Sequence, residues 1–217
     1  MLRTSNRPQY FKSCIDSIFQ QTYKNICILV SYDNHESYDY IKKHKGIKSY
    51  FVSYQEDHFP EQEILRGTNL KKFPANLYLN TLMDQVSKGY IIYLDDDDCF
   101  SSPHSVQTIV DQISDKDDLI FWRVQFPDDK IIPEDEYFGK APVFWHIAGN
   151  SFAFHHKYIP DAQWDGWKGG DFVVATKLYQ RIPNKIYINK VLTALQRKES
   201  WGGFGDKMDK KEENGSS

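Results

Sequence analysis

With 217 residues, 40% hydrophobic and 26% charged, the chain is long enough for one domain with a sizeable core, or at most two small ones, in the composition range of soluble globular proteins. A formal net charge of −3 offers no basic face for nucleic acid, and no apolar run approaches the ~20 residues of a membrane span. Cys14, Cys27 and Cys99 lack metal-ligand spacing, their odd number argues against a disulfide framework, and the N-terminus has no signal-peptide core, so a reducing, cytoplasmic location is expected.

The opening "MLRTSNRP" reads as a strand without its beginning. A helix follows, with Asn6 as cap, Pro8 near its first position, and Phe11, Ile15, Ile18 and Phe19 on one face. "NICILVSYDN" (25–34) reads as a buried strand ending at Asp33, "HESYDYIKKH" as a short helix and "KSYFVSY" (48–54) as another strand. Residues 56–73 read as a loop. Leu79, Leu82, Met83 and Val86 give the next helix its stripe, with Gly89 as its stop. The strand "YIIYL" then delivers Asp95, Asp96, Asp97 and Asp98, and Ser102 and Pro103 open a helix carrying Val106, Ile109, Val110 and Ile113. "DLIFWRVQF" (118–126) is a strand, "VFWHIAGNSFAFHH" (143–156) suggests two short strands around Gly149-Asn150, "DFVVATKLYQRI" (171–182) is helical, and "KIYIN" through "LTALQ" is extended. Alternating strands and helices in the first half predict an α/β sheet that is largely parallel. The tail "DKMDKKEENGSS" has little to bury and is expected to be disordered. The abrupt start and polar tail suggest a domain cut from a longer protein, although an intact small enzyme also fits.

Ligands of open α/β sheets bind beyond the carboxyl ends of the strands. Asp33 and Asp95–Asp98 both fall at that edge. Crowded carboxylates there are tolerable if a divalent cation lies among them, and oxygen ligands favour Mg²⁺ or Mn²⁺. The plain alternative is a solvated acidic turn capping the helix near Pro103.

"RTSNRPQYFKSCIDSIFQQTYKNICILVSYDN" resembles the start of family 2 glycosyltransferases of the GT-A fold. "SKGYIIYLDDDDCFSSP" resembles that family's DXD segment, "GNSFAFHHKYI" its later G-N/G-S segment, and "GGDFVVATKL" its E-D motif. The four stand in the family's order and cover most of residues 1–200. The resemblance implies a Rossmann-like, mostly parallel central sheet flanked by helices, with a smaller, irregular acceptor-side half. It implies one domain over 1–205, its nucleotide-binding half at about 1–100 and its acceptor-side half at about 101–205, before a polar tail or linker at 206–217.

Carried onto this chain, the resemblance puts Thr4 and Arg7 near the nucleotide and has Asp33 accept from a uracil-type base N–H. Asp95, Asp96 and Asp97 belong to donor binding. The metal, Mn²⁺ or Mg²⁺, falls to Asp97 or Asp98, a register that four identical residues leave open. Arg3 replaces a proline of the family pattern, Ser5 a tyrosine and Tyr32 an aspartate. Gly170 stands where the E-D motif has glutamate, leaving Asp171 as the candidate general base. A helix start would keep Asp171 ionised, although aspartate is also an ordinary helix cap.

Aromatics form 15% of the chain, and Trp164 and Trp167 flank the Asp171 segment. Indole faces stack on sugar C–H faces, so these two, with Asn150 and His155, are the candidate acceptor or sugar pocket, core packing being the alternative. His155 and His156 could instead meet the diphosphate or simply finish a strand. "QRKESWGGFG" (196–205) resembles the family's phosphate-closing loop, which makes Arg197 and Lys198 candidate phosphate contacts with Gly202, Gly203 and Gly205 supplying mobility. The expected activity is metal-dependent, inverting transfer of a sugar from a nucleotide-diphosphate donor, UDP-linked by default, to a glycan or glycoconjugate hydroxyl. Two rivals stand beside it. One is a nucleotide-sugar or glycan-binding module without turnover, suggested by Gly170. The other is a sugar nucleotidyltransferase, which would want a glycine-rich loop that "RTSNRP" lacks.

Overall fold

The structure, a computed structural model, describes residues 1–53 and 72–197. In chain order the elements begin with β1 (Leu2–Thr4), α1 (Pro8–Phe19), β2 (Ile28–Tyr32), α2 (His35–Ile41) and β3 (Ile47–Phe51). A 3-10 turn at Pro74–Asn76 leads into α3 (Leu77–Met83), then come β4 (Tyr90–Ile92), β5 (Leu94–Asp95), β6 (Asp98–Phe100) and α4 (Ser105–Val110). The chain continues through β7 (Asp118–Gln125), β8 (Ile131–Ile132), a 3-10 turn at Gly149–Ser151, β9 (Phe152–His155), α5 (Gly170–Arg181) and β10 (Asn184–Leu195).

Pro8 opens α1, where its missing N–H has no intrahelical partner to lose. The buried stripe is Phe11, Cys14, Ile15 and Ile18, while Phe19, expected on that face, is 43% exposed. The cap position is Arg7 rather than Asn6, which turns the chain with φ +58°. Asn34 caps α2, its side-chain oxygen accepting from Ser37 N at 2.7 Å.

β3, β2, β1 and β5 form a wholly parallel sheet in that order. β4, β9, β7, β10 and β6 form a second sheet in which only β7 and β10 are parallel, with β8 on β7. One stretch, Tyr90–Asp95, serves both: β4 pairs with β9, the chain passes Tyr93, and β5 pairs with β1.

Strand side chains alternate between faces. Leu29, Leu119 and Phe121 point into a core shared with α3 and α5, alongside Leu79, Leu82, Met83, Trp164, Val174 and Leu178. On the other face Ile28 and Val30 meet Phe11, Ile15, Tyr40 and Val106, and Ile120 and Trp122 meet Ile109 and Leu192. Strands buried on both faces need near-continuous apolar sequence, which "ILV" and "DLIFWRV" supply. The result is an α/β layered fold with a parallel sheet and helices on both sides.

Two expectations fail locally. The segment before Gly149 is irregular and only β9 is a strand there. The aspartates also do not trail off a strand end: Asp95 closes β5, Asp96 and Asp97 make the turn, and Asp98 opens β6.

Candidate active site

The acidic turn is held by arginines. Arg3 grips Asp95 with two bonds, Nε to Oδ1 at 2.5 Å and Nη2 to Oδ2 at 2.8 Å. Asp96 is fully buried; it accepts from Thr4 Oγ1 (2.6 Å) and Arg7 Nε (3.1 Å), and Arg7 Nη2 also pairs with it. Arg7 Nη1 reaches Asp97 at 3.0 Å, and Arg197 Nη1 approaches the same oxygen at 3.6 Å. A backbone bond from Gln196 N to Asp97 O (2.7 Å) and a side-chain bond from Gln196 Nε2 to Asp98 O (3.0 Å) fasten the turn to the end of β10. Charge-assisted pairs of this kind explain how Asp95, Asp96 and Asp97 are tolerated side by side.

Thr4 and Arg7 therefore support Asp96; both are buried. Burial raises the Asp96 carboxyl to about 7 against the pull of Arg7. Asp98 folds back to accept from Asp95 N at 2.8 Å, and burial, reinforced by the charges of Asp95 and Asp97, pushes its carboxyl well above the usual range. Among the described residues no group of three or more His, Cys, Asp or Glu could hold a metal ion. The donor set still fits a divalent cation carried jointly with a ligand. Asp97 keeps part of its surface, and Asp98 is a buried carboxylate whose charge is disfavoured by like neighbours.

Across a cavity of about 200 Å³ from Asp95 and Asp98 lies Asp171, at the start of α5. Burial raises its carboxyl to about 6, partly offset by the bond it accepts from Phe172 N at 2.8 Å. Gly169 makes this approach possible. Its φ is +80°, and a Cβ there would sit 2.5 Å from the Phe144 ring. At Gly170 a Cβ would lie 2.7 Å from Asn76 Nδ2 and 3.0 Å from Trp164.

Asn76 also lines this cavity, and no sequence pattern singled it out. Its Oδ1 accepts from Arg3 Nη1 at 2.8 Å, and its Nδ2 donates to Trp167 O at 2.8 Å, linking the acidic turn to the approach to α5. Trp164 forms a cavity wall, edge-on to Tyr93 at 5.1 Å. Asn150 lines the cavity, and its buried amide has no hydrogen-bond partner among the described residues. Trp167 is half-buried outside the lining, in a bridge with Lys72. His155 is placed away from the cavity: it pairs with Tyr90 at the far end of β4, because antiparallel pairing carries β9 away from the acidic turn. Asp33 directly follows β2 and accepts from Tyr78 Oη (3.0 Å) and Asn34 Nδ2 (2.6 Å). Lys198, the tail, and the glycines at 202, 203 and 205 lie outside the described residues. The half-exposed Trp145 and Lys168 at the cavity were also missed, though "VFWHIAGN" contained the tryptophan.

A parallel sheet with an acidic turn at its rim, facing a carboxylate on a helix start, is the architecture of the GT-A glycosyltransferases. The sequence pattern of glycosyl transferase family 2 matches residues 2–185, and the chain belongs to that family. No curated protein gives a significant match. Among solved structures, residues 1–349 of S. aureus TarS superpose with a TM-score of 0.67 at 12% identity, covering 89% of this chain and 58% of that one. The same TarS segment in complex with UDP-GlcNAc gives 0.65 at 12% identity, covering 92% and 58%. The mannosyltransferase PcManGT of Pyrobaculum calidifontis, in complex with GDP-Man and Mn²⁺, gives 0.61 at 16% identity, covering 89% and 55%. The chain thus spans little more than half the length of these structures. Among the described residues no helix is long and apolar enough to cross a membrane.

Proposed function

We propose that the chain transfers a sugar, with inversion, from a nucleoside-diphosphate donor to a hydroxyl of a glycan or glycoconjugate. The observation that carries this reading is that Asp171 and the acidic turn share one cavity. Asp171 takes the proton of the acceptor hydroxyl as that oxygen bonds to the anomeric carbon; the bond to the diphosphate breaks and its electron pair leaves on the diphosphate. Asp97 and Asp98 would hold Mn²⁺ or Mg²⁺, which supplies charge neutralisation to the departing diphosphate. Arg197 stands beside Asp97 as a further cation for the phosphates. Asp33 offers an acceptor for a base N–H, so a UDP-linked donor is the first to test, with GDP-linked donors second. TarS and PcManGT, whose structures hold one of each, support that choice of donor class.

Calorimetry with UDP- and GDP-sugars, with and without Mn²⁺, followed by donor hydrolysis, tests the proposal. Binding that needs the ion, together with slow cleavage, is expected. Asp171→Asn should lower kcat by about 10²–10⁴-fold while donor affinity holds. Full activity in Asp171→Asn would remove the base assignment, and binding without cleavage in the unmodified chain would favour a binding module.

A further inference from the structure

We infer that Trp145 is the acceptor platform, an indole on which a pyranose ring rests while one of its hydroxyls meets Asp171. The inference deepens the proposed function and rests on Asp171 being the base.

The geometry leaves Trp145 little choice of neighbourhood. The ring of its predecessor, Phe144, is pressed against Gly169, where a Cβ would come within 2.5 Å, and lies 5.4 Å from the Phe172 ring. Those contacts flank Asp171 on both sides in sequence, so the loop that carries Trp145 is pinned to the start of α5. Trp145 lines the cavity that Asp171 and Asp95 also line. The Phe144 ring, 4.7 Å away and tilted by 48°, and the Lys168 ammonium, 5.4 Å over the indole, hold it in place.

Two features of Trp145 work against folding and call for a reason. It is 51% exposed, second only to Phe51 among the described large hydrophobics. Its φ is +70°, in the left-handed region that a bulky residue adopts only under backbone strain. A glycine would take that conformation without strain, and a polar residue would suit the exposure. An indole at the mouth of a cavity is well matched to a sugar, whose C–H face is apolar and whose rim carries hydroxyls. A ring lying on it would also keep water from Asp171 during transfer. Trp164 and Trp167 cannot serve in the same way: the first is buried in the wall, and the second lies outside the lining.

The test combines binding and turnover. With 5-fluorotryptophan in the five tryptophan positions, the Trp145 resonance is the one missing from Trp145→Phe. Titrating methyl gluco-, galacto-, manno- and 2-acetamidoglucopyranosides into enzyme holding UDP and Mn²⁺ should shift that resonance with at least one of them, and leave that of buried Trp122 in place. In turnover, Trp145→Gly should cut transfer to the same glycoside about three- to tenfold more than it cuts donor hydrolysis. Because glycine accepts this backbone, the melting temperature should hold or rise, which separates the loss from misfolding. Equal falls in transfer and hydrolysis, or a Trp145 resonance unmoved by every glycoside, would overturn the platform. Failure of the base assignment reads out differently, in the hydrolysis rate of Asp171→Asn, and leaves the resonance titration to decide the platform.

Discussion

Asp171 titrates at about 6 because burial disfavours its charge, Asp95 adds to that, and Arg3 partly opposes it. The proposed base must be unprotonated to act, so on that proposal kcat/KM should be level above pH 7 and fall about tenfold per unit below 6. Arg3→Met removes the opposing cation and should move that acidic limb to higher pH; a limb that stays in place would show that the base lies elsewhere. Asp96 offers a stability counterpart. Its folded value, about 7, stands above the ordinary 3.8, so the folded chain binds the extra proton and stability falls as pH rises between the two. Arg7 offsets this, donating from Nε at 3.1 Å and pairing through Nη2. Arg7→Met leaves a buried carboxylate without its cation and should cost about 3 kcal/mol at pH 8 by urea denaturation. Much of that loss should return at pH 5, where Asp96 takes up a proton. An equal loss at both pH values would mean that Arg7 acts through packing alone.

At the start of α5, Gly169, Gly170 and Asp171 show how neighbouring elements dictate residue type. A side chain at 170 meets Asn76 Nδ2 at 2.7 Å, and Asn76 cannot step aside without releasing Arg3 and Trp167 O. Gly170→Ala should therefore cost about 1–3 kcal/mol, and combining it with Asn76→Ala should cost clearly less than the sum of the two singles. Strict additivity in a thermal-melt cycle would refute the coupling. The same contact explains the departure from the E-D motif: Asn76, tethered to Arg3, fills the space a glutamate side chain would enter. Much of the fold was legible from element patterns. Apolar stripes marked α1, α3 and α4, and the strands β2 and β7 are continuous apolar runs because both of their faces are covered. The acidic turn could be chosen for its place after an apolar strand, and Asp171 only through the resemblance of its segment to the E-D motif. What stayed hidden depends on pairing across the chain. His155 reads like a site histidine until antiparallel register sends it to the far edge. Four identical aspartates carry no register of their own; the partners Arg3, Thr4, Arg7 and Asp95 N assign them. Trp145 stood in an irregular stretch without periodicity to mark it.

Over the whole molecule, the stretch Tyr90–Asp95 makes the two halves interdependent. β5 completes the parallel sheet while β4 belongs to the other, and β6, which closes the acidic turn, pairs among the described residues only with β10. The core around α3 is likewise shared: Leu79, Leu82, Met83 and Ile91 pack with Phe121, Phe152, Phe154, Trp164, Val174 and Leu178. A fragment of residues 1–112 would expose that apolar face and leave β4 and β6 without partners, at roughly 1.5–3 kcal/mol for each large side chain uncovered. Expressed alone it should show no cooperative melt, whereas the full chain should unfold in one transition seen alike by far-ultraviolet dichroism and tryptophan fluorescence. Nucleotide binding sharpens the test. UDP with Mn²⁺ at a hundred times its Kd should add about 2.7 kcal/mol to the full chain, and both probes should move together although the proposed donor contacts lie mostly in the first half. A fragment that melts cooperatively and binds the nucleotide would show that the shared stretch is a hinge between separable units rather than the seam of one.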